Sequence, residues 1–481
     1  MTNENKLLRS TYHGIVWTLI DMLLSKGFPL IVIIMLARIL GPEEFGLYGI
    51  LVFFTTIGIL LTESGLTSSL IRHHRVSRLD YSTVFYMNLV VNIVIYFVIY
   101  LIAPFIALFF SKPLLSDLIR VISLSYILSA FTAVHLAILN KKMRFKKIML
   151  LNLPGAILGG VLGIVLAYRH YGIWSIVYMT LAIQFVTSCL LILNRHWKPS
   201  FEYSSLSARL HFRFGINVLL SGFLDALFKN SYNIIIGKFY PMQSLAFFER
   251  ARSLQEYPTM AMTAISNKVS YPLFAKFQTN EAQSNSVFKN FLQGTFFVNT
   301  PMVLILAGIA KPLFLLLLGT SWLPAVPYFQ ILCMGSIFYP HHAYNLNVLK
   351  VKGRSDLFLK LEVIKKIMMV VVILISAPFG MYAMLWGMVG SSAMVLYVNI
   401  YYSGRYMSYD FKRQVVDLLP IMLIGLSSFL FTNFLCRQLQ SYSLLTQISC
   451  SSSLGLLSYL LLNSLFNRTE FNNYLNLIRK R

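Results

Sequence analysis

Apolar residues in this chain come in runs of about 20, separated by short gaps that hold most of the polar and charged residues. A helix needs about 20 residues to cross a bilayer core. No backbone polar group can stay unpaired in lipid, so such runs must be helical. The pattern predicts roughly fourteen spans. They lie near 14–39, 47–70, 82–110, 117–139, 149–168, 172–194, 213–239 and 245–271. The remainder lie near 291–310, 324–349, 358–378, 381–403, 415–435 and 445–466. The gaps run from a few residues to about twenty, too short for a soluble ATPase or an external catalytic module. The first run is too long for a signal-peptide core and has no small-residue cleavage pattern, so it is expected to remain. A composition of 57% hydrophobic and 12% charged residues over 481 positions agrees with a polytopic membrane protein.

The formal charge of +24 invites a nucleic-acid reading, but its placement argues against one. Basic residues crowd alternate gaps: Arg72, Arg75 and Arg78; Lys141, Lys142, Arg144, Lys146 and Lys147; Arg195, Lys198, Arg209 and Arg213; Lys350, Lys352 and Arg354; Arg405, Lys412 and Arg413. The gaps between hold Arg38, Lys112, Arg169, Lys238, Lys311 and Arg437. This alternation follows the positive-inside rule. It predicts cytoplasmic termini and an even number of spans.

The chain also repeats itself after about 200 residues. Ala37-Arg38-Ile39-Leu40-Gly41-Pro42 followed by Phe45-Gly46-Leu47-Tyr48 is echoed by Gly237-Lys238-Phe239-Tyr240-Pro241 followed by Leu245-Ala246-Phe247-Phe248. Leu139-Asn140-Lys141-Lys142-Met143-Arg144 matches Leu349-Lys350-Val351-Lys352-Gly353-Arg354, and Tyr171-Gly172-Ile173-Trp174 matches Phe379-Gly380-Met381-Tyr382. Six spans per unit imply two parallel six-helix lobes, 1–205 and 206–409, around a central cavity. Residues 410–481 then supply two further helices and a cytoplasmic tail.

Ionised residues inside spans are costly unless they are paired or face a wet cavity. Asp21, Lys26, Glu63, Asp225, Lys229, Glu249, Arg250, Arg252, Glu256, Glu362, Lys365 and Lys366 all fall there. Cations in a wet cavity would hold phosphate through charge-assisted hydrogen bonds, which makes Lys26, Lys229, Arg250, Arg252, Lys365 and Lys366 the candidate anion-binding set. Asp21, Glu63, Asp225 and Glu256 are the candidates for coupling Na⁺ or H⁺. The competing reading is local neutralisation, since Asp225–Lys229 and Arg252–Glu256 have i,i+4 spacing and Glu362 reaches Lys365 or Lys366. Pro29 would kink the first span beside Lys26.

Other motifs point to packing. Gly155, Gly159 and Gly163 recur every four residues within a span and are expected to bring helices close. The adjacent pairs His73-His74 and His341-His342 diverge on a helix, make poor joint metal ligands and suit loop or helix-end roles. Cys189, Cys333, Cys436 and Cys450 lack metal-ligand spacing and read as buried free thiols. The Asn467-Arg468-Thr469 sequon falls on the cytoplasmic side. No nucleophile–base, metal or cofactor constellation emerges, and the chain is not expected to be an enzyme.

The segment Ala37-Arg38-Ile39-Leu40-Gly41-Pro42-Glu43-Glu44-Phe45-Gly46-Leu47-Tyr48 resembles the first-loop motif of bacterial polysaccharide flippases of the Wzx/WzxC type, in the MATE-like MOP exporter superfamily. Phe248-Glu249-Arg250-Ala251-Arg252-Ser253-Leu254, with Pro258 and Tyr271-Pro272, is similar to that family's eighth span, and Lys142-Met143-Arg144-Phe145-Lys146 to its fourth-to-fifth loop. The resemblance implies flipping of an undecaprenyl-diphosphate-linked oligosaccharide across the bacterial inner membrane by ion-coupled alternating access. It implies membrane lipids, a polysaccharide polymerase and chain-length proteins as partners, and a role for Arg250 and Arg252 at the cargo. A MATE-type multidrug or cation antiporter is the alternative on the same fold.

Overall fold

The computed structural model describes residues 27–62, 65–73, 75–194, 197–276, 281–407, 409–467 and 471. Asp21, Lys26 and Glu63 of the expected site lie outside that set, as do His74, Arg195 and the Arg468-Thr469 half of the sequon. Every regular element among the described residues is a helix. The chain divides into two compact units, Met1–Ala246 and Phe247–Arg481.

Unit 1 holds α1 (Phe28–Thr62), α2 (Gly65–Arg72), α3 (Arg78–Phe109), α4 (Leu114–Ile122), α5 (Leu124–Lys141), α6 (Phe145–Tyr168), α7 (Trp174–Leu193), α8 (Ser205–Lys229), α9 (Ser231–Phe239) and the opening of α10 (Met242–Lys276). Two helical runs join in α1 through Gly41, at φ 73° and ψ 174°. Glycine adopts that φ without a Cβ clash, and Pro42 cannot supply the N–H that would continue the ladder. A capping box opens α3: Asp80 N donates to Ser77 Oγ at 3.1 Å, and Ser77 N donates to Asp80 Oδ2 at 2.8 Å. Ser207 Oγ then donates to Asp80 Oδ1 at 2.6 Å, tying the start of α8 to the same corner.

The glycine stripe in α6 packs as its spacing predicts. A Cβ at Gly155 would stand 2.4 Å from Thr187 Oγ1, and one at Gly159 2.4 Å from Ile183 Cγ1, both on α7. Only a bare Cα lets the two backbones come this close.

Unit 2 continues α10 and adds α11 (Glu281–Gly308), α12 (Ala310–Leu317), α13 (Ala325–Ser336), α14 (Tyr339–Val351), α15 (Ser355–Ser376), α16 (Met381–Ser403), α17 (Phe411–Gln438) and α18 (Leu444–Phe466). Small residues again set the spacing: a Cβ at Gly425 of α17 would lie 2.4 Å from Thr300 Cγ2 of α11. A Cβ at Gly455 of α18 would lie 2.2 Å from Thr432 Oγ1 of α17. The two C-terminal helices are thus packed into unit 2 through α11.

The repeat is visible in backbone geometry. In unit 1, Arg144 N donates to Leu139 O at 3.0 Å and Met143 N to Asn140 O at 2.9 Å. In unit 2, Arg354 N donates to Leu349 O at 2.9 Å and Gly353 N to Lys350 O at 3.1 Å. Met143 and Gly353 are both left-handed, with φ 51° and 71°. Gly172 and Gly380, the other matched pair, have φ 57° and 99°.

Among the described residues ten helical stretches are long and apolar enough to cross a membrane. The first two expected spans run together as Phe28–Arg72. The eighth and eleventh, on α10 and α15, carry clusters of ionised residues, and the tenth is split into α13 and α14. Cys333 and Cys436 are buried free thiols as expected, and Cys189 is half-buried. Cys450 corrects the expectation, lying exposed on α18. A span packed on one side necessarily turns some apolar positions outward.

Candidate functional site

A cluster of ionised and polar residues within unit 2 is built from four helices. Helix α10 supplies Glu249, Arg252 and Glu256, spaced three and four apart and therefore on one face. Arg252 Nε meets Glu256 Oε1 at 3.0 Å, with side chains 16% and 33% exposed. Helix α15 supplies a second pair, Lys365 Nζ to Glu362 Oε1 at 2.9 Å. Tyr339, the first residue of α14, lies within electrostatic reach of Glu256, Arg252 and Glu362.

His342 extends the cluster one turn along α14, within electrostatic reach of Lys365. Its Nε2 is 3.1 Å from Ser392 Oγ, and its Nδ1 is 3.1 Å from Asn399 Nδ2. The amide N–H of Asn399 must donate, so Nδ1 accepts and Nε2–H is left to donate to Ser392. Ser392 and Asn399 are two turns apart on α16 and share a face. Asn345, a turn below His342, accepts from Ser403 Oγ at 2.6 Å. His341 is fully buried and meets Phe296 of α11 edge-on at 4.7 Å, the helix-end role expected of the pair. Arg250 and Glu249 are buried on α10, at 3% and 7% exposure. Lys366 is half-buried on α15.

Arg252, Glu256 and Lys365 of the sequence-derived set are therefore brought into one cluster. Asp225 and Lys229 belong to unit 1, exposed one turn apart on α8. Tyr339, His342, Ser392 and Asn399 were not foreseen as members. Their signal is weak but real: Tyr339 and His342 recur at i,i+3, and Ser392 and Asn399 at i,i+7. A bundle must place polar residues at such spacings toward a common partner to avoid burying them unpaired. Among the described residues no group of three or more His, Cys, Asp or Glu could hold a metal ion.

Unit 1 contains a different kind of space. A half-open cavity of about 640 Å³ lies between α1, α3, α8 and α9, with Phe54, Ile57, Leu61, Ile99 and Phe223 in its wall. Asn233 is its one polar lining residue, and the amide donates to Gly49 O at 3.0 Å. Lys238 stands by the wall residue Phe109, its ammonium 4.7 Å from the ring centroid. The space favours hydrocarbon, with a cation beside it.

A family model described as "Polysaccharide biosynthesis protein" matches residues 35–327, well over half of the chain and across both units. The chain belongs to that family. The lipopolysaccharide biosynthesis protein WzxC of Escherichia coli K12 is 22% identical over 380 residues, covering 78% of this chain and 76% of WzxC. Among solved structures, the lipid II flippase MurJ in an inward closed conformation superposes with a TM-score of 0.71 at 15% identity, covering 93% of this chain and 99% of that one. An inward-facing multidrug resistance MATE transporter of the MOP superfamily gives 0.63 at 16% identity, covering 79% and 94%. This polysaccharide biosynthesis protein therefore has the MATE-like, MurJ-like helical fold that the flippase resemblance implied. It is a multi-span membrane protein of the polysaccharide biosynthesis family.

Proposed function

We propose that this protein flips an undecaprenyl-diphosphate-linked oligosaccharide from the inner to the outer leaflet of a bacterial inner membrane, by ion-coupled alternating access, for surface polysaccharide assembly. The observation that carries the reading is the family match over 35–327 on a fold shared over nearly its whole length with a lipid II flippase. The alternation of basic gaps supports cytoplasmic termini. Lys229, Arg250, Arg252, Lys365 and Lys366 remain the proposed diphosphate ligands, and Glu256 and Asp225 the proposed coupling acids. The unit 1 cavity suits the prenyl chain, which must stay in hydrocarbon while the head group crosses.

The Arg252–Glu256 pair suggests how cargo and ion could be linked. A guanidinium cannot serve a carboxylate and a diphosphate equally well with one set of donors. When diphosphate takes Arg252, Glu256 loses its counter-charge and gains affinity for H⁺ or Na⁺. Linkage makes the effect mutual: ion bound at Glu256 raises the affinity of Arg252 for diphosphate.

The test is reconstitution into proteoliposomes with a fluorescent polyprenyl-diphosphate oligosaccharide and an imposed H⁺ or Na⁺ gradient. Gradient-dependent appearance of the glycan in the opposite leaflet is expected. Gradient-driven export of a cationic dye without glycan movement would replace this reading with the multidrug antiporter.

A further inference from the structure

Helices α11 and α17 run in the same direction, because Lys289 meets Asp417, Thr300 packs on Gly425 and Gly308 packs on Thr432 in that order. Where they begin, they border an open, cleft-like cavity of about 580 Å³ lined by Asn285, Ser286, Lys289, Tyr409, Lys412, Arg413 and Asp417. It is separate from the ionised cluster, and neither the family match nor the resemblance assigns it.

The cavity is built rather than incidental. Tyr409 is 4% exposed and packs edge-on against Phe288, with ring centroids 6.1 Å apart. Its hydroxyl donates to Asp417 Oδ2 at 2.6 Å, and Lys289 Nζ meets that same oxygen at 2.8 Å. Gln414 Nε2 donates to Tyr409 O at 3.1 Å and fixes the loop from beneath. Asp410 caps α17, accepting from Arg413 N at 3.1 Å, and Arg413 Nε stands 3.9 Å from it. Three cations thus face the acids Asp417 and Asp410, leaving one positive charge in excess at the positive end of a 28-residue helix. The cavity opens in the Arg405–Arg413 gap, on the basic and therefore cytoplasmic side. The lipid leaflet there is anionic, and basic pockets between spans on that side suit phosphate head groups.

We infer that this cavity between the starts of α11 and α17 holds the head group of an anionic glycerophospholipid. The phosphate sits against Lys412 and Arg413, and Asn285 and Ser286 meet the polar remainder of the head group. Asp417 sets the affinity by occupying Lys289.

The full-length protein is placed in nanodiscs of phosphatidylcholine with increasing phosphatidylglycerol, and its melting temperature is followed, since a ligand that binds only the folded state raises it. The wild type should gain thermal stability with phosphatidylglycerol. The double variant Lys412→Gln/Arg413→Gln should need at least five-fold more of it for the same shift. Asp417→Asn should need less, because Lys289 is released; a merely damaged fold would move both variants the same way. Should Asp417→Asn fail to reach the membrane, Lys412→Glu serves instead and should need still more phosphatidylglycerol than the double variant. Equal lipid dependence in all these proteins overturns the inference. So does an equal shift produced by inorganic phosphate, or tighter occupation by polyprenyl diphosphate, which would make this a phosphate or cargo site.

Discussion

Units 1 and 2 share their turns but not their interiors. The 139–144 and 349–354 turns make the same backbone hydrogen bonds, and both pass through a left-handed residue. Yet unit 1 holds a half-open cavity with a single polar lining residue, whereas unit 2 assembles two ion pairs, a tyrosine and a histidine among four helices. Turn geometry is fixed by local sterics and survives sequence change. Helix faces are free to diverge, because any side chain that satisfies its own neighbours is tolerated there. The lesson is that two halves of one chain can share turn geometry while one gathers apolar space and the other ion pairs.

The most damaging way to probe this division is in unit 2. Arg252→Ala leaves Glu256 partly buried without its counter-charge, a change that costs about 3–5 kcal/mol in fully buried pairs and less at this exposure. Surface glycan in a deletion strain should fall at least about ten-fold (a loss of about 1.4 kcal/mol in the flipping step), read beside membrane protein level by immunoblot. The reversed pair Arg252→Glu/Glu256→Arg should restore protein level without restoring glycan. Full recovery of glycan would reduce the pair to a structural role.

Next in size is the cavity of unit 1. Ile99→Trp fills it without adding charge and should slow flipping several-fold, while overpacking costs about 1–3 kcal/mol in stability. A prenyl photoprobe that labels wild type and variant equally would separate this cavity from the cargo chain.

The matched turns offer a smaller and symmetrical test. Met143→Gly should stabilise unit 1 and Gly353→Ala should destabilise unit 2, each by about 1 kcal/mol, because a Cβ is strained at positive φ. Opposite shifts in melting temperature are expected, and shifts of the same sign would break the equivalence.

The smallest effect separates the turns by charge. Arg354 forks onto Asp356 with Nη2–Oδ2 at 2.7 Å and Nε–Oδ1 at 2.9 Å, and this pairing holds the exposed carboxyl down at about 2, below its ordinary 3.8. A depressed carboxyl contributes stability above its unfolded value and loses it as pH falls through the folded one. The 354–356 corner should therefore loosen only between pH 3.8 and about 2, as read by hydrogen exchange at Leu357. Unit 1 carries Lys146 at the matching position and should show no such step.

Much of this was legible along the chain. The glycine stripe of α6 and the paired turns follow from local periodicity or sterics, and the structure bears them out; of the fourteen expected spans, ten helical stretches among the described residues are long and apolar enough to cross a membrane. Arg252–Glu256 and Glu362–Lys365 were readable as well, since each lies on one helix at pairing distance. Tyr339 and His342 were not. Their neighbours on α10, α15 and α16 come from segments dozens of residues away, and nothing in a linear pattern says which helix faces meet.

The sequence by itself determined that this is an all-helical membrane protein, where its chain turns, and which ionised residues interrupt its apolar runs. Those follow from the cost of bare backbone and bare charge in lipid, which acts residue by residue. Tertiary structure alone decided which of those charges share a site, that Lys289 rather than Lys412 holds Asp417, and that α1, α3, α8 and α9 meet around an apolar space. These are properties of helix packing, where the partner is chosen by shape across a distance that the order of residues does not encode.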